Sequence, residues 1–244
     1  MPRFFIELSY KGTQFSGFQV QENARTVQSA VEEAFALIHR QKVAMTGSSR
    51  TDAGVHSKSN FFHFDAAALH PQFLYKMNAL LSPDIALKNC WEMPAERHCR
   101  FDAIGRRYRY RVHRNKDPFA EGFSYYYPYR LNLELMAEAA AIVKERENFQ
   151  GFSKSNTQVK HFICKIERSE WNREGEALIY TIEANRFLRG MVRLLAGALL
   201  RVGREQLSVE AFKNQFENDK NPGFSVPAHG LYLEEVSYPE NYFP

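Results

Sequence analysis

The chain has 244 residues, 44% of them hydrophobic, enough for one large domain or two small ones with a sizeable core. With 32 basic against 28 acidic residues, the formal charge of +4 is too weak to name a partner by itself, so the distribution of charge matters more than its sum. Three cysteines match neither a disulfide framework nor a paired zinc site, and no secretory pattern or membrane-length apolar run is present, which predicts a cytoplasmic protein with reduced thiols and no membrane contact.

"FFIELSY" (4–10) reads as a strand, followed by a loop punctuated by Gly12 and Gly17. Thr26 is a candidate cap for a helix in which Val27, Val31, Ala34, Phe35 and Ile38 recur at helical spacing. After a Gly- and Ser-rich loop at 47–57 come a strand at 59–66, a helix at 71–81, a strand at 85–93 and a long strand at 106–114. The second half opens near Pro128, with Asn132 capping an alanine-rich helix through Val143 and strands at about 162–171 and 177–184. A helix from about Arg186 to Val202, a shorter one containing Phe212 and Phe216, and a last strand, "GLYLEEVSY", complete the chain. The elements mix without strict βα alternation, which predicts an α+β fold with a largely antiparallel central sheet and flanking helices. The expected boundary separates 1–115 from 116–244, and without a low-complexity linker the two parts are expected to share a continuous sheet or core.

Basic residues cluster in "RHCRF" (97–101), "RRYRYRVHR" (106–114) and "RFLRGMVRLLAGALLRVGR" (186–204). On a strand, Arg107, Arg109, Arg111 and His113 share one face and Arg106, Tyr108, Tyr110, Val112 and Arg114 the other. Alternating cations and rings suit a flipped nucleotide, with arginine on phosphate and tyrosine under the base; an edge strand with buried tyrosines and solvated arginines is the competing reading. If 186–204 is one helix, Arg186, Arg189, Arg193, Arg201 and Arg204 fall within an arc of about 120°, opposite an apolar face centred on Phe187, Met191, Leu195, Ala198 and Val202. No acid lies between Arg186 and Arg204 to form i,i+4 pairs, so this face points at a polyanion or a buried carboxylate.

His56, His63 and Asp65 lie close in sequence without a second ligand cluster, so structural histidines and no metal are expected. Nucleophile-elbow, P-loop and dinucleotide-binding patterns are absent, which argues against ATP or a redox cofactor. The loop "GSSRTDAGVHS" (47–57) sets Asp52 beside Arg50, which favours the ionised carboxylate, and Thr51, which can donate a hydrogen bond. A lone ionised aspartate suits a nucleophile or a positioned base better than the two-carboxylate pair of a glycosidase; an aspartate in an ordinary turn beside Gly54 is the competing reading.

That loop resembles the active-site signature of the tRNA pseudouridine synthase A (TruA) family. The resemblance continues through "YKGTQFSGFQVQ", "RTVQSAVEEAF", "NALLSPDIAL", "RFDAIGRRYRYRV", "EANRFLRGMVRLLAG" and "AHGLYL", nearly the whole chain. It implies a cofactor-free, metal-free isomerisation of uridine to pseudouridine at positions 38, 39 and 40 of the tRNA anticodon stem-loop. It implies Asp52 as the catalytic aspartate, Arg50 as its motif neighbour, Arg193 as the cation that pairs with Asp52, and Tyr108 as the ring on the target base. Arg107, Arg109 and Arg189 are then the candidates for binding substrate phosphates. The resemblance also implies two related α/β halves and a homodimer whose subunits build a basic tRNA cleft. Ser49, Cys99 and "CKI" (164–166) depart from the family pattern, and Ser49 requires a turn position that tolerates a side chain. A non-catalytic tRNA-binding chaperone and a carboxylate-based nucleoside hydrolase remain the alternatives.

Overall fold

The computed structural model describes residues 1–154, 159–217 and 223–244. Along the chain lie β1 (Arg3–Tyr10), α1 (Val27–His39), β2 (Thr46–Gly47), β3 (His56–Asp65), α2 (Phe73–Leu80) and β4 (Ile85–Met93). These are followed by β5 (Gly105–His113), β6 (Tyr125–Tyr126), α3 (Leu133–Lys144), β7 (Ile166–Glu174), β8 (Ala177–Ala184), α4 (Met191–Gly203), α5 (Val209–Glu217) and β9 (Leu231–Ser237). The architecture is α+β and the strand pairing largely antiparallel, with β9 on β3 and β6 on β5 as the parallel pairs.

Two compact units divide the chain: Met1–Ile104 with Tyr232–Pro244, and Gly105–Leu231. The sequence boundary at 115/116 therefore shifts, for two reasons. β5 pairs with β8 from Arg106↔Ala184 to His113↔Ala177, which ties it to the second unit. The last strand returns to the first, where Tyr232 and Leu233 lie beside His56 and Ser57 of β3.

In the first unit the strands run β4–β1–β3–β9, and β2 pairs with β3 at Thr46↔His63 and Gly47↔Phe62. Side chains alternate across these strands. Phe4, Ile6, Leu8, Phe62 and Phe64 join Val27, Val31, Ala34 and Phe35 of α1 and Phe73 and Met77 of α2 in one core. Thr26 starts α1 as expected: its Oγ1 accepts the Ser29 N–H at 3.1 Å while Ser29 Oγ accepts the Thr26 N–H at 3.1 Å, a reciprocal cap that stabilises by about 1 kcal/mol. The opposite sheet face is aromatic, with Phe61 and Trp91 stacking on Phe243 at 5.5 and 4.3 Å.

In the second unit β5 pairs with β8 and β8 with β7, so the near-continuous buried run Leu178–Ile182 lies between two partners. Asn132 caps α3 by accepting the Leu135 N–H at 3.2 Å. Phe212 and Phe216 of α5 meet at 5.3 Å, and Phe216 lies 4.7 Å from Phe152. Two expectations change here. Strand β7 begins at Ile166 rather than near 162, because the preceding residues bond elsewhere: Phe149 N–H to Phe162 O at 3.0 Å and Cys164 N–H to Glu147 O at 2.9 Å. Helix α4 begins at Met191 rather than Arg186, because Gly190 stands before it in the left-handed region at φ +75°. Phe187, Arg186 and Arg189 are therefore not on the helix, and the arginine arc reduces to Arg193, Arg201 and the terminal Arg204. The helix is also more buried than an amphipathic surface helix: within Met191–Gly203 every residue except Arg193 and Arg201 is buried.

Candidate active site

Asp52 lies in the connection from β2 to β3, half-buried at the first position of a turn that Val55 N–H closes onto Asp52 O at 3.2 Å. Gly54 occupies the third position at φ +81°, the conformation for which a type II turn selects glycine. The earlier loop is pressed against this one. Phe18 N–H donates to Thr51 O at 3.1 Å, and a Cβ on Gly12 would stand 1.9 Å from the Val55 carbonyl oxygen. Gly12 N–H also donates to His56 Nδ1 at 3.1 Å, and the His56 ring stacks on Tyr232 at 4.7 Å. The glycine-punctuated segment "KGTQFSGF" thus has a physical reason: it is the backbone surface on which the aspartate loop rests. Ser49 is not among the residues with positive φ, so its side chain causes no backbone strain. Arg50 is exposed, whereas Thr51 is buried.

Tyr10 and Asn60 also hold this loop, and motif reading missed both. Tyr10 Oη lies 2.8 Å from Thr51 Oγ1, and Asn60 Nδ2 donates to Ser49 O at 2.8 Å. The sequence carries a signal for Asn60, a polar amide inside the apolar run "NFFHF", since a buried amide must find partners. Burial pushes the Tyr10 hydroxyl up to about 12, so it stays protonated.

The remaining candidates belong to the second unit. On β5, Tyr108, Tyr110 and Val112 are buried and Arg107, Arg109 and Arg111 are half-exposed on the alternate face. His113, expected on the arginine face, is buried at the strand end and tilted against Tyr126 at 5.4 Å. Tyr108 is 9% exposed and meets Phe187 edge-on, ring centroids 5.1 Å apart. Arg107 Nε lies 3.2 Å from Glu183 across the strand pair, and Arg109 pairs with Glu174. Arg189 is exposed before α4, and its carbonyl accepts the Lys154 N–H at 3.0 Å. Arg193 is half-buried and anchored by Nε, which donates to Val226 O at 2.8 Å, while Val226 N–H donates back to Arg193 O at 3.3 Å. Arg204 lies over the Tyr129 ring at 3.7 Å, a cation–π contact.

One group has metal-ligand composition: His63, His98 and Cys99 each offer a donor atom within 4.8 Å of the others. The donor chemistry does not favour a cation. His98 Nδ1 accepts the N–H groups of Arg100 at 3.1 Å and Phe101 at 3.3 Å, which places the imidazole proton on Nε2, the nitrogen a metal would need. His63 Nδ1 lies 3.2 Å from Cys99 Sγ, and burial together with the nearby charges of His98 and Arg3 lowers His63 to about 4. The two imidazoles pack as neutral, hydrogen-bonded groups. No disulfide joins Cys90, Cys99 or Cys164, and among the described residues no helix is long and apolar enough to cross a membrane.

A family model described as tRNA pseudouridine synthase matches residues 146–239. The tRNA pseudouridine synthase A of Parabacteroides distasonis is 43% identical over 249 residues, covering 100% of this chain and 99% of that protein. The protein of the same name from Porphyromonas gingivalis is 41% identical, covering 100% of both chains. That from Staphylococcus aureus is 37% identical, covering 98% of this chain and 93% of its own.

Proposed function

The chain belongs to the tRNA pseudouridine synthase A family and is an isomerase that converts uridine in tRNA to pseudouridine; we propose that it acts on positions 38, 39 and 40 of the anticodon stem-loop with Asp52 as its catalytic residue. The reaction breaks the bond from the ribose anomeric carbon to uracil N1 and forms one from the same carbon to C5. The C5 proton is lost and N1 gains one, so atoms balance without an oxidant or a second substrate.

The observation that carries the Asp52 reading is the fixed turn: a half-buried carboxylate on a loop held by backbone contacts on both flanks, at Thr51 and at Val55. A preset carboxylate serves as a nucleophile or base without waiting for the loop to order. A stacked uracil is out of its reach, so the nucleotide must flip at a cost of about a few kcal/mol. Arginines on phosphates offset that cost, with Arg189 exposed for the purpose and Arg107 and Arg109 available by exchanging their glutamates for phosphate. Tyr108 takes the base-packing role on the inward face of β5, with Phe187 as its present neighbour. Arg193 is the cation that pairs with Asp52 in this reading, its guanidinium orientation set by the Val226 carbonyl. Arg50 lends further positive charge beside the loop. The enzyme works as a cytoplasmic homodimer, whose paired subunits give a tRNA enough surface to rest on.

Incubating purified protein with transcribed tRNA and assaying pseudouridine and free uracil tests the reading. Pseudouridine at 38–40, lost in Asp52→Asn while tRNA affinity stays within about a few-fold, is expected because distributed arginines supply binding. Uracil release would mean a hydrolase, and binding without either product a chaperone.

A further inference from the structure

One buried polar network of the first unit, built on Asn60 and Tyr10, converges on the residues next to Asp52. Asn60 is 0% exposed on β3 and its amide is fully used. Nδ2 donates to Ser49 O at 2.8 Å and to Tyr10 Oη at 3.2 Å, and Oδ1 accepts the N–H groups of Ser49 at 3.2 Å and Phe61 at 2.9 Å. Both donors and both lone pairs are thereby occupied. Tyr10 Oη, which accepts from Asn60, also lies 2.8 Å from Thr51 Oγ1, a bond that either hydroxyl can donate. The result is a hydrogen-bonded relay linking Asn60, Tyr10 and Thr51 that ends one residue before Asp52. It is buried throughout, so water does not compete for its bonds.

The same loop is held from the other side. Phe18 N–H fixes the Thr51 carbonyl, and Gly12 approaches the Val55 carbonyl too closely for any side chain. β1 and β3 thereby reach the loop through hydrogen bonds, and residues 12–18 reach it through backbone contact.

We propose that Tyr10 and Asn60 are positioning residues of the isomerisation: they hold Thr51, and through it the Asp52 carboxylate, in the reacting geometry before tRNA arrives. This rests on the reading of Asp52 as the catalytic residue. Neither side chain touches substrate, so their effect belongs in the rate of chemistry and not in affinity. A carboxylate displaced by about 1 Å loses on the order of a hundredfold in rate.

The test compares two tyrosine-to-phenylalanine variants that each delete one buried hydroxyl. Tyr10→Phe removes the bond to Thr51; Tyr180→Phe removes a similar bond, 2.9 Å to Ser169 Oγ, inside the second unit. Both should lower thermal stability, Tyr10→Phe somewhat more because it also leaves Asn60 Nδ2 without its second acceptor. Tyr10→Phe should cut the single-turnover rate by about ten- to a hundredfold, with the tRNA dissociation constant within about twofold, whereas Tyr180→Phe should leave the rate unchanged. Thr51→Val should behave as Tyr10→Phe does, Thr51→Ser should restore the rate, and the Tyr10→Phe/Thr51→Val pair should be no slower than the slower single variant, because one bond is lost in all three. A Tyr10→Phe rate within about twofold of wild type, or equal slowing by Tyr180→Phe, overturns the proposal while Asp52→Asn stays inactive. Turnover by Asp52→Asn sinks the Asp52 reading itself and the clamp with it.

Discussion

The aspartate loop at 48–55 and the arginine-bearing segment at 186–193 carry the two groups proposed to pair in the reaction, and they are built differently. The aspartate loop is fixed by backbone lying on backbone: Gly12 against the Val55 carbonyl and Phe18 N–H on the Thr51 carbonyl. The arginine segment is an irregular lead into a buried helix, where one left-handed glycine sets the turn and the neighbour pressed on it is the flexible Lys154 side chain, 2.9 Å from where a Cβ would stand. The first arrangement tolerates no extra atom. The second asks only for a backbone conformation.

Gly12→Ala tests the first half of that contrast and should have the largest effect. Its Cβ would lie 1.9 Å from a carbonyl oxygen that cannot rotate away, so the loop must move. Stability should fall by about 3 kcal/mol, read as a denaturant midpoint, and pseudouridine formation by roughly a hundredfold or more in the folded fraction. A variant within about 1 kcal/mol and about threefold of wild type would show that the two loops slide freely.

The same contrast explains what the sequence revealed. Thr26 and Asn132 announced their helices through caps, which are local signals, and the aspartate loop was visible from Gly47, Gly54 and the residues around Asp52. The start of α4 was not visible, because Phe187 and Met191 continue the apolar spacing of the helix across Gly190, and a single glycine does not reveal its sign of φ. The relay from Asn60 through Tyr10 to Thr51 was hidden for another reason: it joins residues 50 and 41 positions apart. The two-residue strands β2 and β6 are too short to show a period.

Acid should separate the regions next, because His63 lies on β3, the strand onto which the aspartate loop runs. Folding holds this imidazole neutral down to about 4, through burial first and then the charges of His98 and Arg3, against the opposing pull of Asp65 and Asp102. Unfolded, it binds a proton near 6.5, so the unfolded chain gains protons first and stability is lost as pH falls from about 6.5 toward 4. Between pH 7 and 5 this amounts to about 1–2 kcal/mol. His63→Asn, whose Oδ1 can accept the Cys99 N–H in place of Nδ1, should flatten that part of the profile of unfolding free energy against pH; an unchanged slope would assign it to other groups.

Gly190→Ala addresses the second half of the contrast. Here the Lys154 chain can move aside, and the remaining cost is the left-handed backbone, about 1 kcal/mol. Asn at this position should cost less, because it enters that region more readily. A loss as large as that of Gly12→Ala would mean that the arginine segment is held as tightly as the aspartate loop.

The smallest effects concern which arginines meet the tRNA. Arg107 lies against Glu183, so the pair is neutral before substrate arrives, whereas Arg189 is exposed. A cation that neutralises a phosphate contributes about 0.7–0.9 to the slope of log affinity against log salt concentration. Arg189→Gln should therefore lower the slope by nearly that much and weaken binding a few-fold. The paired change Arg107→Gln with Glu183→Gln should flatten the slope by a smaller amount, because Arg107 must give up Glu183 to meet phosphate, and Glu183→Gln alone should tighten binding by removing that competitor. Binding isotherms at several salt concentrations read all three. If the paired change leaves the slope at its wild-type value, Arg107 stays on Glu183 when tRNA docks, and the strand arginines do not belong to the substrate surface.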